Sequence, residues 1–154
     1  MKHFKLTEET KVNILGVTLF RIELIADCKW GKIGEKGGFI QKEDNLSGNA
    51  WVSGNAEVYD DARVYGDASV SGDAWNKSPL QIQGTKHYVN ECKKGHLKIG
   101  CMEFSFSYWK ENFESAGKNN GYCESEIKEY GLYIDLAIKI SEINEEKDSK
   151  SKEE

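Results

Sequence analysis

The sequence predicts a mainly β protein with helices towards its carboxy-terminal end, an α+β fold built on a short stack of three-sided coils. Three observations predict it. Residues 46–75 divide into five consecutive sixes, LSGNAW, VSGNAE, VYDDAR, VYGDAS and VSGDAW. Strand-like runs with turn signals flank this repeat on both sides. Two helix-period patterns then follow, near 108–118 and 124–142.

The repeat carries the most information. Its first position is Leu46, Val52, Val58, Val64 or Val70, and its fifth is Ala50, Ala56, Ala62, Ala68 or Ala74. The fourth is always Asn or Asp, and the third is Gly in every unit but one, where it is Asp60. A six-residue period is not helical, and a plain hairpin would not place a turn signal in every unit. Each unit therefore reads as a short strand plus a corner. Strand side chains alternate, so the alanine two residues before the next aliphatic residue points inward with it. Glycine enters the left-handed region without penalty, and Asn or Asp enters it more easily than other residues, so the Gly-Asn or Gly-Asp pair turns the chain. Three strands and three corners close a coil, and coils stack about 4.8 Å apart.

This pattern resembles the left-handed parallel β-helix of hexapeptide-repeat proteins. Ile40, six residues before Leu46, adds one degenerate unit, giving about two coils over 34–82. Such a thin slab has open strand edges at both ends, and exposed edges recruit other strands. Caps on both sides and self-association are the expected answers.

Residues 1–33 supply the first cap. The runs Lys11–Ile14 and Val17–Leu24 flank Leu15-Gly16, a hairpin signal. Gly31, Gly34, Gly37 and Gly38 punctuate the loop that leads into the coil; a phosphate loop would need a Gly-Lys-Ser/Thr ending, which is missing. Residues 83–143 supply a carboxy-terminal lobe. His87–Asn90 and Leu97–Gly100 flank a hairpin turn at Lys93–His96, and Phe104 and Phe106 alternate with serines. Ser107 is placed to cap a helix over about 108–118, and Cys123, three residues before Glu126, sits where Ser or Thr would complete a capping box for the last helix. That helix is apolar over more than one stripe: Ile127, Tyr130, Ile134 and Ala137 on one side, with Leu132, Leu136, Ile140 and Ile143 beyond. Burial on two sides follows, against its own domain and against a second subunit. Residues 144–154 are charged and are expected to be a disordered tail.

Composition narrows the function classes. The chain has 154 residues, 21 Lys plus Arg against 26 Asp plus Glu, and a net charge of −5, which argues against a broad nucleic-acid surface. No run approaches the roughly 18 apolar residues of a membrane helix, and the start lacks the apolar stretch of a signal peptide. A cytoplasmic location is expected, with Cys28, Cys92, Cys101 and Cys123 as reduced thiols. Cys92, His96 and Cys101 do not match the usual paired-ligand spacing of a metal site. No metal, no cofactor and no catalytic residue is assigned.

A second resemblance enters through Leu19–Ile22, the stretch Gly37–Glu43 with Asn45-Leu46, and the carboxy-terminal Ile99–Cys101, Tyr108-Trp109 and Gly121–Tyr130. Together with the repeat, these residues look like the hexapeptide-repeat proteins encoded in phages and prophages. The resemblance implies a phage-linked protein that is oligomeric and works in the host cytosol.

Within that frame, the outer positions of the coil are the candidate binding residues: Trp51, Tyr59, Arg63, Tyr65 and Trp75. Aromatic rings on a solvated slab can stack a base or anchor a partner, and Arg63 can contact a phosphate. Packing beneath a flanking lobe is the competing reading of each ring. The expected function is a non-enzymatic, oligomeric phage-type binding protein that counteracts host antiviral defence, either by sequestering a small nucleotide signal or by blocking a host protein. Two alternatives stand beside it. One is a small acyltransferase using His87, since enzymes with this coil need a histidine base; the other is a purely structural assembly module.

Overall fold

The computed structural model describes residues 2–153. Mixed sheets and two helices make an α+β protein. The chain divides into two compact units, Met1–Gln81 and Ile82–Glu154.

The first unit opens with an antiparallel hairpin of β1 (Phe4–Val12) and β2 (Thr18–Leu24). Its turn is fixed by Asn13, whose Oδ1 accepts the N–H groups of Leu15 and Val17 at 2.9 and 3.0 Å. β3 (Lys36–Ile40) runs antiparallel to β2. Gly37 and Gly38 thus belong to a strand and not to the entry loop that the sequence suggests. They are needed for space: a Cβ at Gly37 would stand 2.5 Å from the Val52 carbonyl oxygen, and one at Gly38 would stand 2.6 Å from that of Ala56.

A 3-10 turn at Glu43–Asn45 leads into the repeat, which supplies β4 (Trp51–Val52), β5 (Glu57–Val58), β6 (Ser69–Val70) and β7 (Ala74–Trp75). Successive sixes do not pair with each other. Phe39-Ile40 pairs in parallel with Glu57-Val58, Leu46 bridges to Val64, and Trp51-Val52 pairs in parallel with Ser69-Val70. One sheet therefore runs β1-β2-β3-β5-β7 and a second holds β4 and β6. Leu46, Val52, Val58, Val64 and Val70 are buried, as are Ala50, Ala56, Ala62 and Ala68. The third position of every unit is left-handed: Gly48, Gly54, Gly66 and Gly72 have φ between 60° and 65°, and Asp60 follows them at 55°.

The fifth unit departs from this regularity. Val58 lies beside Trp75, one residue short of the spacing kept elsewhere, and Glu57 lies beside Ala74. An unbroken period would set Asn76 next to Val58 and bury a carboxamide in an apolar column. The ladder slips by one residue instead. Ala74 is turned out to solvent and Trp75 is buried. The reading of Trp75 as an outer residue, and of Ala74 as an inner one, is corrected accordingly.

Two carboxamides stand in for missing backbone partners. Asn45, wholly buried, donates through Nδ2 to the Ala62 carbonyl at 2.8 Å and accepts the Lys42 N–H at 2.9 Å. Gln81 accepts the Tyr65 N–H at 2.8 Å and donates to the Arg63 carbonyl at 2.9 Å. These are the two groups that a further parallel strand would engage around Val64. Gln81→Ala removes both bonds, and a loss of about 1 kcal/mol in stability is expected because the freed groups can reach water. Urea unfolding followed by tryptophan fluorescence measures it, with Gln81→Glu expected to recover only the Tyr65 contact.

The second unit has a four-stranded sheet in the order β11-β10-β9-β8, formed by β8 (Gln81–Gln83), β9 (Tyr88–Lys93), β10 (His96–Ile99) and β11 (Met102–Ser105). Lys94-Gly95 makes the β9–β10 turn, with Gly95 at φ 75°. A register shift sets Glu91, and not Cys92, opposite Leu97. α1 (Phe106–Asn119) starts two residues earlier than its apolar pattern suggests, and Ser105 caps it in place of Ser107, accepting the Tyr108 N–H at 3.2 Å. Trp109 is buried and its Nε1 donates to the Leu97 carbonyl at 2.7 Å.

α2 (Glu124–Glu153) buries Tyr130, Ile134 and Ala137. It also runs through 144–153, which the sequence assigns to a disordered tail; residue 154 lies outside the described residues. Lack of apolar residues denies this segment a core, but not a helix. Glu and Lys have good helix propensity, Glu146–Lys150 and Asp148–Lys152 have the spacing of supporting pairs, and the upstream turns provide the nucleus. At the start of α2, the Glu126 carboxylate accepts the Cys123 N–H at 2.8 Å, which is the glutamate half of a capping box. Cys123→Ser supplies the stronger oxygen acceptor of the other half, and a gain of about 0.5 kcal/mol is expected; a lowered midpoint in thermal unfolding would contradict it.

Candidate functional site

The five outer residues named from sequence fall into two groups. Trp51, Tyr59 and Trp75 are buried. Their side chains are not free faces for a ligand, and the expectation of a solvated aromatic wall is corrected. The amino-terminal hairpin is the reason for two of them. Trp51 meets the His3 ring at 6.0 Å between centroids, with its own ring edge against Gly37. Tyr59 shares a core cluster with Leu19 and Phe39, and burial raises its phenol pKa, helped by the charges of Asp60 and Glu57. The hairpin's cations close over the same face: the Arg21 guanidinium stands 4.3 Å and the Lys11 ammonium 4.4 Å from the Phe39 ring centroid. Trp75 is buried through the ladder slip, and its Nε1 has no hydrogen-bond partner among the described residues.

Arg63 and Tyr65 form the second group. Tyr65 is 47% exposed and Arg63 is exposed on the same strand edge. Their backbone is pinned by Ser78, whose Oγ accepts the Arg63 N–H at 2.9 Å, and by Gln81. One ring and one guanidinium on a rigid edge can contact an anionic or aromatic group, but the five-residue constellation is not assembled.

The first unit carries another surface, which the sequence did not single out, at the tip of its amino-terminal hairpin. Val12, Ile14 and Leu15 are exposed at the tip of the β1–β2 hairpin, Ile14 completely so. Turns ordinarily carry polar residues. Here the Asn13 bonds hold three aliphatic side chains in water on a closed turn. The signal was present in the sequence as Ile14-Leu15 beside Gly16, an apolar pair at the turn itself.

The second unit holds His87 at the rim of a cavity of about 70 Å³, lined by Tyr122, Tyr130, Trp109, Phe113 and Ile127 among others. The His87 and Tyr122 rings stack at 5.7 Å, and His87 Nδ1 is hydrogen-bonded to the Tyr122 hydroxyl. Burial, reinforced by neighbouring Tyr130, pushes the Tyr122 phenol up to about 12. The Tyr130 hydroxyl accepts the N–H groups of Lys86 and His87 at 2.9 and 2.6 Å and donates to the His87 carbonyl at 3.1 Å. A space of this size takes a few water-sized groups. The tyrosines hold the 84–87 turn and the imidazole in place.

Cys92 is buried and Cys101 exposed, and burial next to Glu103 pushes the Cys92 thiol up to about 12. Among the described residues no helix is long and apolar enough to cross a membrane. The chain matches no protein-family model, no curated protein and no solved structure.

Proposed function

We propose that the protein is a non-enzymatic, oligomeric binding protein of phage type that blocks a host protein in the host cytosol and so counteracts antiviral defence. The observation that carries this reading is the rigid apolar tip of Val12, Ile14 and Leu15. Exposed aliphatic side chains on an ordered turn cost solubility, and a partner that covers them recovers the hydrophobic free energy. Burial of Trp51, Tyr59 and Trp75 favours a protein partner over a trapped nucleotide, which would have only Arg63 and Tyr65 to hold it.

The fold proposed for this role is a short left-handed parallel β-helix of about two coils, capped by the amino-terminal hairpin and followed by the carboxy-terminal hairpin and helices. Its support is the parallel pairing of each unit with the third unit along, the left-handed third positions and the buried aliphatic first positions.

The test is phage plating on host strains that carry different defence systems, with the wild-type chain or the double variant Ile14→Asp/Leu15→Asp expressed in the cell. Rescue of plating by the wild type and its loss in the tip variant is the expected result. Rescue by both would remove the tip from the mechanism. Calorimetry with cyclic nucleotides covers the trapping version, where heat that disappears in Arg63→Ala would replace the protein partner by a nucleotide.

A further inference from the structure

The cavity of the second unit pairs an apolar floor with one directed polar group at its mouth. Ile99, Trp109, Phe113, Ile127 and Ile134 make the floor, and no carboxylate lines the space among the described residues. Voids larger than a water are few in a folded domain, because side chains close them. Methionine is the residue best able to fill such a gap, but Met102 is held at the rim, where its Sδ accepts a hydrogen bond from Asn120 Nδ2 at 3.6 Å. The volume of about 70 Å³ is about half of the roughly 150 Å³ that admits benzene in an apolar cavity, which leaves room for two or three carbon atoms. The polar group is His87. The Tyr130 hydroxyl accepts two N–H groups and donates to a carbonyl, so it has no place for the Tyr122 proton. That proton goes to His87 Nδ1, and the neutral imidazole then carries its own proton on Nε2. The ring's Cδ2 lies against Gly100, another lining residue, where an added Cβ would be 3.1 Å away, and Nε2 is the next atom of that edge. Nε2 has no hydrogen-bond partner among the described residues.

We propose that this cavity binds a short-chain aliphatic carboxylate, with a tail of two or three carbons on the apolar floor and the carboxylate accepting the His87 Nε2–H at the mouth. Propionate and butyrate have tails of that length. A carboxylate suits the mouth better than a hydroxyl or a neutral carbonyl for two reasons. An N–H donates more strongly to an ionised oxygen, and the imidazole can take a second proton and become a counter-charge. No lining residue repels an anion. The site belongs wholly to the second unit and is independent of the hairpin tip of the first.

Methyl-resolved NMR of the full chain, titrated with acetate, propionate, butyrate and hexanoate, tests the proposal. The methyl resonances of Ile127 and Ile134 are expected to shift saturably, and those of Ile22 and Ile40, buried in the first unit, to stay in place. Affinity should rise about fourfold with each carbon from acetate to butyrate, to a dissociation constant on the order of millimolar, and should gain nothing further at hexanoate, whose tail outgrows the space. His87→Ala, at an exposed side chain, should weaken butyrate about tenfold and leave 1-butanol unchanged. Ile127→Phe, which fills the floor, should abolish binding of both; if that variant does not fold, the wild-type shift map and chain-length series decide. No saturable shift with any of the four carboxylates overturns the site. Affinity that keeps rising through hexanoate, or shifts confined to the first unit, overturns the cavity as the place of binding. His87→Ala that weakens butyrate and 1-butanol alike, or neither, overturns the role of the imidazole as the head-group donor.

Discussion

Gly38→Ala is expected to cost the first unit about 3 kcal/mol or more, a large share of the stability of an ordinary domain. The added methyl would stand 2.6 Å from the Ala56 carbonyl oxygen and 2.7 Å from Val52 Cγ1. Neither neighbour can retreat. The same Ala56 carbonyl accepts the Phe39 N–H at 2.9 Å, so moving it breaks the parallel contact between β3 and β5, and Val52 is wholly buried. Gly54→Ala is the control. Its Cβ meets nothing within 4 Å, and only the left-handed backbone at φ 60° is strained, for about 1 kcal/mol. Chemical denaturation of the two variants should separate crowding from backbone strain, and a Gly38→Ala midpoint close to that of Gly54→Ala would refute the crowding argument.

Tyr130→Phe is expected to cost the second unit about 2–4 kcal/mol although only one oxygen is lost. That hydroxyl closes three hydrogen bonds to the backbone of Lys86 and His87, and the ring is buried, so water cannot replace it on the inner side. Gly84 is the complementary half of the arrangement: a Cβ there would stand 2.5 Å from the hydroxyl. Amide hydrogen exchange gives the sharper readout. The Lys86 and His87 amides should lose protection in Tyr130→Phe, and unchanged exchange at both would show that the hydroxyl does not hold the turn.

These residues also show what a sequence exposes and what it hides. The buried valines, the buried alanines of the first four units and the left-handed third positions were legible because each is a local demand repeated at a fixed interval; even Asp60 takes the backbone conformation of the glycines it replaces. The ladder slip at Trp75 was legible in principle, since eighteen residues after Val58 comes Asn76, a polar residue in an apolar column. The burial of Trp51 and Tyr59 was one of two open readings, packing beneath a flanking lobe or a solvated face, and nothing local chose between them. Which face a hairpin covers depends on Gly37 and Gly38 letting β3 approach the 52–56 backbone, a contact between segments that no period announces. For the candidate site, sequence pattern located aromatic residues on strands but could not say which of them a neighbouring strand would cover. The apolar turn is hidden for the opposite reason: Leu15-Gly16 marks the turn, but a turn signal does not say that its neighbours Val12 and Ile14 stay in water.

Gln81 has a consequence for how large this architecture can become. A strand edge normally offers its amide and carbonyl to whatever extended chain arrives, and stacked chains of this kind are prone to polymerise. At Val64 both groups are already taken by a side chain, which has no onward donor and acceptor spaced like a peptide. The carboxamide acts as a chain terminator: it takes up the ladder's last two bonds, one as acceptor and one as donor, and passes none on, so fibre growth along that face is closed off by a single residue.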